Sequence, residues 1–178
     1  MEIEKRIRKV YEDIDGQRVY FDVCGNQLNV GDKAPDFILL DDNCKTVRLG
    51  DLPARKKIFN LINSVYTSVC DKETCRLDDT LLKTSIYGDS KLYTISMNLP
   101  FVLNHFRKEN DIHNGHFLLS DHRTGKFGIA YGALMIPDRL LQRTAIVLDK
   151  YNTVLYAKYF EDQGIKPDYT EALDFLLR

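Results

Sequence analysis

The sequence predicts an α/β protein with a central mixed sheet flanked by helices, and three observations carry that prediction. "KKIFNLIN" (56–63) and "KLYTISMN" (91–98) are short, β-rich and apolar on both faces, the pattern of buried strands in a partly parallel sheet. The segment between them places Leu77, Leu81 and Leu82 at helical spacing. "TAIVLDKYNTVLYAKYF" (144–160) is two apolar runs around Asp149–Asn152, an antiparallel hairpin, and "DYTEALDFLLR" (168–178) follows it as a closing amphipathic helix. A chain of 178 residues suits one domain with one hydrophobic core.

The remaining elements follow along the chain. Residues 1–29 read as an N-terminal extension. Ile3, Ile7, Val10 and Ile14 fit a helical stripe, but the Asp15-Gly16 turn signal ahead of a β-rich run favours a hairpin. "VGDKAPDFILLDDN" (30–43) is a loop leading into a short strand, with Cys44 in the polar turn beyond it. The first core helix starts after Thr67, with Asp71 and Glu73 in its first turn where the helix dipole favours anions, so Cys70 falls at its amino-terminal end. "LPFVLNHFRKEND" (99–111) begins a helix near Pro100 and sets Phe101 or Val102 at i, i+4 from His105 or Phe106. "GHFLLSD" (115–121) is a further strand. The order β-α-β-α-β-β-α is that of a thioredoxin-like domain, with no repeat, low-complexity segment or linker to mark a second one in residues 1–178.

Composition excludes some classes of partner. With 25 Lys+Arg against 26 Asp+Glu, a net charge of -1 and no long basic block, nothing attracts a polyphosphate backbone, so no nucleic acid is expected. "MEIEKRIRKVYEDIDG" never reaches the apolar run of a signal peptide, and apolar runs elsewhere are strand-sized; the expectation is a soluble, cytoplasmic protein without a membrane partner. In a reducing compartment four cysteines default to free thiols, and any disulfide is expected to be transient.

"TSVCDKETC" (67–75) concentrates the chemistry. The C-x4-C spacing is wider than the C-x-x-C of thioredoxin-type pairs, leaving open a redox pair, a metal site or two buried small hydrophobes. A cysteine at a helix amino terminus has its thiolate favoured by unpaired N–H groups and the dipole. Local context leaves the reactive and buried readings of Cys70 both standing, and Thr67 taken alone reads as a helix cap. His113, His116 and His122 offer H-x-x-H once, in a polar loop without a nearby cysteine, so no metal and no cofactor are expected.

The chain resembles the peroxiredoxins. "NSVYTSVC" (63–70) matches their P-x-x-x-T-x-x-C strand-to-helix turn at Thr67 and Cys70, and departs from it at Asn63. "VGDKAPDFILLDD", "LPFVLNHF", "LSDHRTGKFGIAYG" (119–132) and "QRTAIVLDKYNTVLY" (142–156) resemble successive segments of the thiol peroxidase branch in the right order. The resemblance implies a peroxidatic thiolate at Cys70, attacking a hydroperoxide to give a sulfenic acid. It implies further that Arg143 and Thr67 assist Cys70 and that Asn63 stands where a proline shields the cysteine; Tyr66 reads as a packing residue, with a role in shaping the substrate pocket as the alternative because it adjoins Thr67. It also implies recycling by thioredoxin or a similar dithiol protein, and a homodimer.

Branch members carry a resolving cysteine in R-F-C, where this chain reads His105-Phe106-Arg107. Cys75 stands where the related bacterioferritin co-migratory type places its resolving thiol. Five residues of α-helix separate a pair by about 7.5 Å of rise and about 140° of rotation, so a Cys70–Cys75 disulfide requires the first turns to unwind. Cys24 and Cys44 match no family position and read as structural. Asn63 and the missing R-F-C cysteine also motivate a different class, a diverged sensor or binding protein with little turnover. A thiol-disulfide oxidoreductase is a third reading, against which the C-x4-C spacing argues.

Overall fold

Successive residues of a strand point to opposite faces, and the run Ile58-Phe59 meets an apolar cluster on each. Ile58 packs with Leu77, Leu81, Leu92, Ala145 and Ala172, whereas Phe59 packs with Phe37, Tyr93, Phe127 and Tyr131. The sheet is therefore covered on both sides, as strands with apolar residues on both faces require. The computed structural model describes residues 8–83 and 90–177, the side chains of 68–73 and 177 set aside.

In chain order the described elements are β1 (Arg8–Ile14), β2 (Gln17–Cys24), β3 (Ile38–Asp41), β4 (Thr46–Arg48), β5 (Lys56–Leu61), α1 (Ser68–Lys83), β6 (Ser90–Ser96) and α2 (Pro100–Glu109). There follow β7 (His116–Ser120), α3 (Lys126–Ala130), β8 (Leu134–Ile136), β9 (Leu140–Leu141), β10 (Thr144–Leu148), β11 (Val154–Tyr159) and α4 (Thr170–Leu177). One sheet has the order β11-β10-β5-β6-β7-β3-β4, with β5, β6 and β7 mutually parallel. A smaller sheet has the order β1-β2-β8-β9, opened by the expected hairpin with Asp15 and Gly16 at its turn, both at positive φ.

The structure refines the expected pattern in three places. The stretch 126–141, given no elements from the sequence, forms α3, β8 and β9, pieces too short to show a period. On α1 the buried stripe is Thr74, Leu77, Asp78 and Leu81, while Leu82, one further residue round the helix, is exposed. On α2, Phe106 is buried and Val102 half-buried against the same cluster, while Phe101 and His105 face outward.

Topology fixes where chemistry can be assembled. The parallel strands end on one edge, where connections gather in folds of this class. Because β10 runs antiparallel to β5, with Thr144 opposite Leu61, β10 begins where β5 ends. Among the described residues no helix is long and apolar enough to cross a membrane.

Candidate active site

Residues 62–67 leave the end of β5 and turn into α1. Val65, buried in this turn, donates its N–H to Asn98 Oδ1 at 3.0 Å, and Asn98 Nδ2 donates to Ser64 Oγ at 3.0 Å. The polar residue that follows β6 thus clamps the turn that follows β5. Thr67 Oγ1 donates to the Ser64 carbonyl at 3.4 Å, one residue ahead of the start of α1 at Ser68. Cys70 lies on the first turn of α1; its side chain is outside the described residues. Cys75 is half-buried on the same helix and packs against the cluster that holds Ile62, Val65, Leu103 and Phe106. An i, i+5 pair on one continuous helix cannot bridge without unwinding.

Arg143 reaches this edge from the neighbouring strand, immediately before Thr144. It is 3% exposed, and its attachment is unusual for a surface-type side chain. Its Nε donates to the Gln163 carbonyl at 2.6 Å, its N–H donates to Gln163 Oε1 at 2.9 Å, and its carbonyl accepts the Phe160 N–H at 3.0 Å. Asn63 enters the same group. Its Nδ2 donates to the Leu141 carbonyl at 3.0 Å and to Gln163 Oε1 at 3.3 Å. The amide at the position of the family proline is thus itself buried and hydrogen-bonded.

Residues 29–173 match the family model described as redoxin. The chain belongs to the redoxin family. Within it, this redoxin is 36% identical over 150 residues to the thiol peroxidase of Bacillus subtilis (strain 168), covering 84% of this chain and 87% of that protein. The thiol peroxidase of Staphylococcus saprophyticus is 34% identical over 84% of this chain and 88% of its own length. Among solved structures, a peroxiredoxin-like protein from Aquifex aeolicus superposes with a TM-score of 0.82 at 22% identity, covering 97% of this chain and 98% of that one. The thiol peroxidase from Chromobacterium violaceum gives 0.81 at 25% identity, over 95% and 94%. The peroxiredoxin-type thioredoxin-like fold expected from the sequence is therefore the fold of this redoxin.

Other residues singled out in the sequence of this redoxin fall elsewhere. Tyr66 is half exposed, its ring edge-on to Phe106 at 5.7 Å and its hydroxyl donating to Glu109 Oε2 at 2.9 Å, so it leans over α2. Cys24 is buried, donates to the Leu134 carbonyl at 3.5 Å, and has its thiol pKa pushed up by burial. Cys44 is exposed on the turn after β3 at φ +63°.

The histidines separate. His116 is fully buried, Nδ1 3.2 Å from Asp78 Oδ1 and Nε2 2.7 Å from Thr94 Oγ1; burial lowers its pKa despite the carboxylate. His122 Nδ1 meets Ser120 Oγ, and His113 Nδ1 accepts the Gly115 N–H.

Two contributors escaped the sequence reading. Asn98 had a signal, a polar residue closing a buried strand just before a helix-opening Leu-Pro. Gln163 had none, because "EDQG" (161–164) reads as a polar surface loop.

Proposed function

We propose that the chain is a cytoplasmic thiol peroxidase in which Cys70 is the peroxidatic residue. The observation that carries this reading is the juxtaposition, at one sheet edge, of the strand-to-helix turn bearing Thr67 and Cys70 with the buried Arg143 at the start of β10. The likeness to proteins named thiol peroxidase supports it.

In the proposed reaction the Cys70 thiolate attacks the terminal oxygen of hydrogen peroxide or a small organic hydroperoxide. The S–O bond forms as the O–O bond breaks, leaving Cys70 sulfenic acid and an alkoxide or hydroxide that takes a proton to leave as alcohol or water. A helix amino terminus and the Arg143 guanidinium favour the thiolate and the charge that develops on the leaving oxygen. Thr67 hydroxyl and the Cys70 N–H are the hydrogen-bonding partners assigned to the peroxide oxygens, and Asn63 borders the approach.

Cys75 resolves the intermediate. Its thiol displaces water from the sulfenic acid to form a Cys70–Cys75 disulfide, after the first turns of α1 unwind. A dithiol protein of the thioredoxin type then supplies two electrons and two protons to restore both thiols, and the working unit is a homodimer. Steady-state consumption of hydrogen peroxide in the presence of thioredoxin and its reductase tests this reading: turnover that disappears in Cys70→Ser supports it. A wild-type protein that consumes no peroxide under these conditions contradicts it and favours a sensor.

A further inference from the structure

Gln163 is fully buried within a loop whose neighbours Glu161 and Gly164 are exposed, and a buried amide is costly unless its groups are satisfied. Every polar group of this residue is in use, and the partners converge on Arg143. Gln163 Oε1 accepts the Arg143 N–H at 2.9 Å and Asn63 Nδ2 at 3.3 Å. Its Nε2 donates to the Phe160 carbonyl at 2.6 Å, and its own carbonyl accepts Arg143 Nε at 2.6 Å. Its N–H donates to the Tyr11 carbonyl at 2.7 Å, while the Tyr11 N–H donates to the Glu161 carbonyl at 2.9 Å, so β1 of the N-terminal hairpin ties the loop down.

We propose that Gln163 is the positioning residue for Arg143: it holds both the backbone and the guanidinium of the arginine, and Asn63 locks it to the end of β5. This rests on the reading that Arg143 serves the Cys70 thiolate. An arginine has several torsions to freeze, and a charge contributes to a transition state chiefly when it is already in place. The bond from Gln163 engages Nε and sets the plane of the fork. Asn63 gives this chain a link that a proline at that position cannot make, since proline has no side-chain donor. The amide thereby joins the strand-to-helix turn to the arginine loop.

The test is a double-mutant cycle between Gln163→Met and Arg143→Met, read by the second-order rate of Cys70 oxidation by hydrogen peroxide and by the pH dependence of Cys70 alkylation. Exposed Cys44 serves as the internal control for alkylation. Gln163→Met keeps the carbonyl that accepts Arg143 Nε but removes the side-chain bonds to the Arg143 N–H, Asn63 and the Phe160 carbonyl that hold it in place, and is expected to slow oxidation about tenfold, roughly the net worth of one hydrogen bond. It is also expected to move the Cys70 alkylation midpoint to higher pH, and to have no further effect once Arg143 is Met. An equal slowing in the Arg143→Met background, or an unmoved midpoint, overturns the positioning role. If Arg143→Met itself changes neither rate nor midpoint, the reading beneath it falls instead. Should Gln163→Met fail to fold, Asn63→Ala removes the lock from the other side, with a smaller slowing that again must vanish in the Arg143→Met background.

Discussion

Thr74 is fully buried on α1, next to Cys75, and its Oγ1 finds no partner among the described residues. A buried hydroxyl left unsatisfied costs about 1–3 kcal/mol, so the turn that must unwind for a Cys70–Cys75 disulfide is weakened in advance. Thr74→Val removes that hydroxyl while keeping the β-branched shape, leaving helix propensity within a few tenths of a kcal/mol. The reduced protein is expected to gain about 1 kcal/mol or more in urea denaturation followed by far-UV circular dichroism, a suitable probe for a chain with no tryptophan. Opening the turn then costs more by the same amount, and each kcal/mol corresponds to about a fivefold change in the opened population. Disulfide formation after one equivalent of peroxide is expected to slow by about that factor, with more Cys70 passing to sulfinic acid when peroxide is in excess. Rapid alkylation and mass spectrometry follow both products. A variant no more stable than the parent refutes the reasoning about the hydroxyl. A variant that is more stable yet forms the disulfide at the parent rate refutes unwinding through this turn.

Three further outcomes are expected. Arg143→Met should lower the second-order rate with hydrogen peroxide by about 100-fold, the usual effect of removing one preorganised electrostatic donor, as measured by competition against a peroxidase of known rate. Asp121 has its pKa pushed up to about 6 by burial, so the fold prefers its protonated form. The stabilisation this gives is complete below the unfolded value near 3.8 and fades as pH rises through about 6, a difference of about 3 kcal/mol. In Asp121→Asn that pH-dependent loss should disappear, so the stability of the variant relative to the parent rises between pH 4 and 7 in parallel denaturation series. Gly25 sits at φ +93°, and a Cβ there would lie 2.0 Å from the Ile129 carbonyl oxygen and 2.9 Å from Gly132 Cα. Gly25→Ala should therefore cost at least about 3 kcal/mol, seen as a fall in Tm of about 6–12 °C.

Much of the architecture was legible because it rests on local apolar runs and turn signals. The strand around Ile58 and Phe59 announces burial on both faces by the apolar residues that point to each, and the Asp15-Gly16 turn announces the hairpin. The same logic failed at Leu82, where three leucines suggested the stripe but Asp78 occupies it. That position reads as polar, and in the fold it is buried with its carboxylate meeting His116 and the His113 N–H. Short elements such as β9, two residues long, carry no period at all.

The proposed site was legible in its chemistry and not in its support. Thr67 and Cys70 are picked out by a family motif, and Arg143 by the resemblance of its hairpin, since taken alone it reads as an exposed strand residue. Gln163 and Asn98 act through contacts 20 and 33 residues away along the chain, made by loops with no pattern of their own. Asn63 read as a gap in a motif, whereas tertiary packing makes it a buried link to Gln163.

In the proposed cycle Cys70 is the residue oxidised by peroxide and Cys75 the one that resolves it. The most direct measurement mixes fully reduced protein with one equivalent of hydrogen peroxide, quenches rapidly with an alkylating agent and maps every cysteine by mass spectrometry. A Cys70–Cys75 disulfide is expected to form quickly, with Cys24 and Cys44 still alkylated as thiols. Cys70 recovered as a free thiol after minutes, or sulfinic acid at Cys70 with Cys75 still reduced, would contradict it.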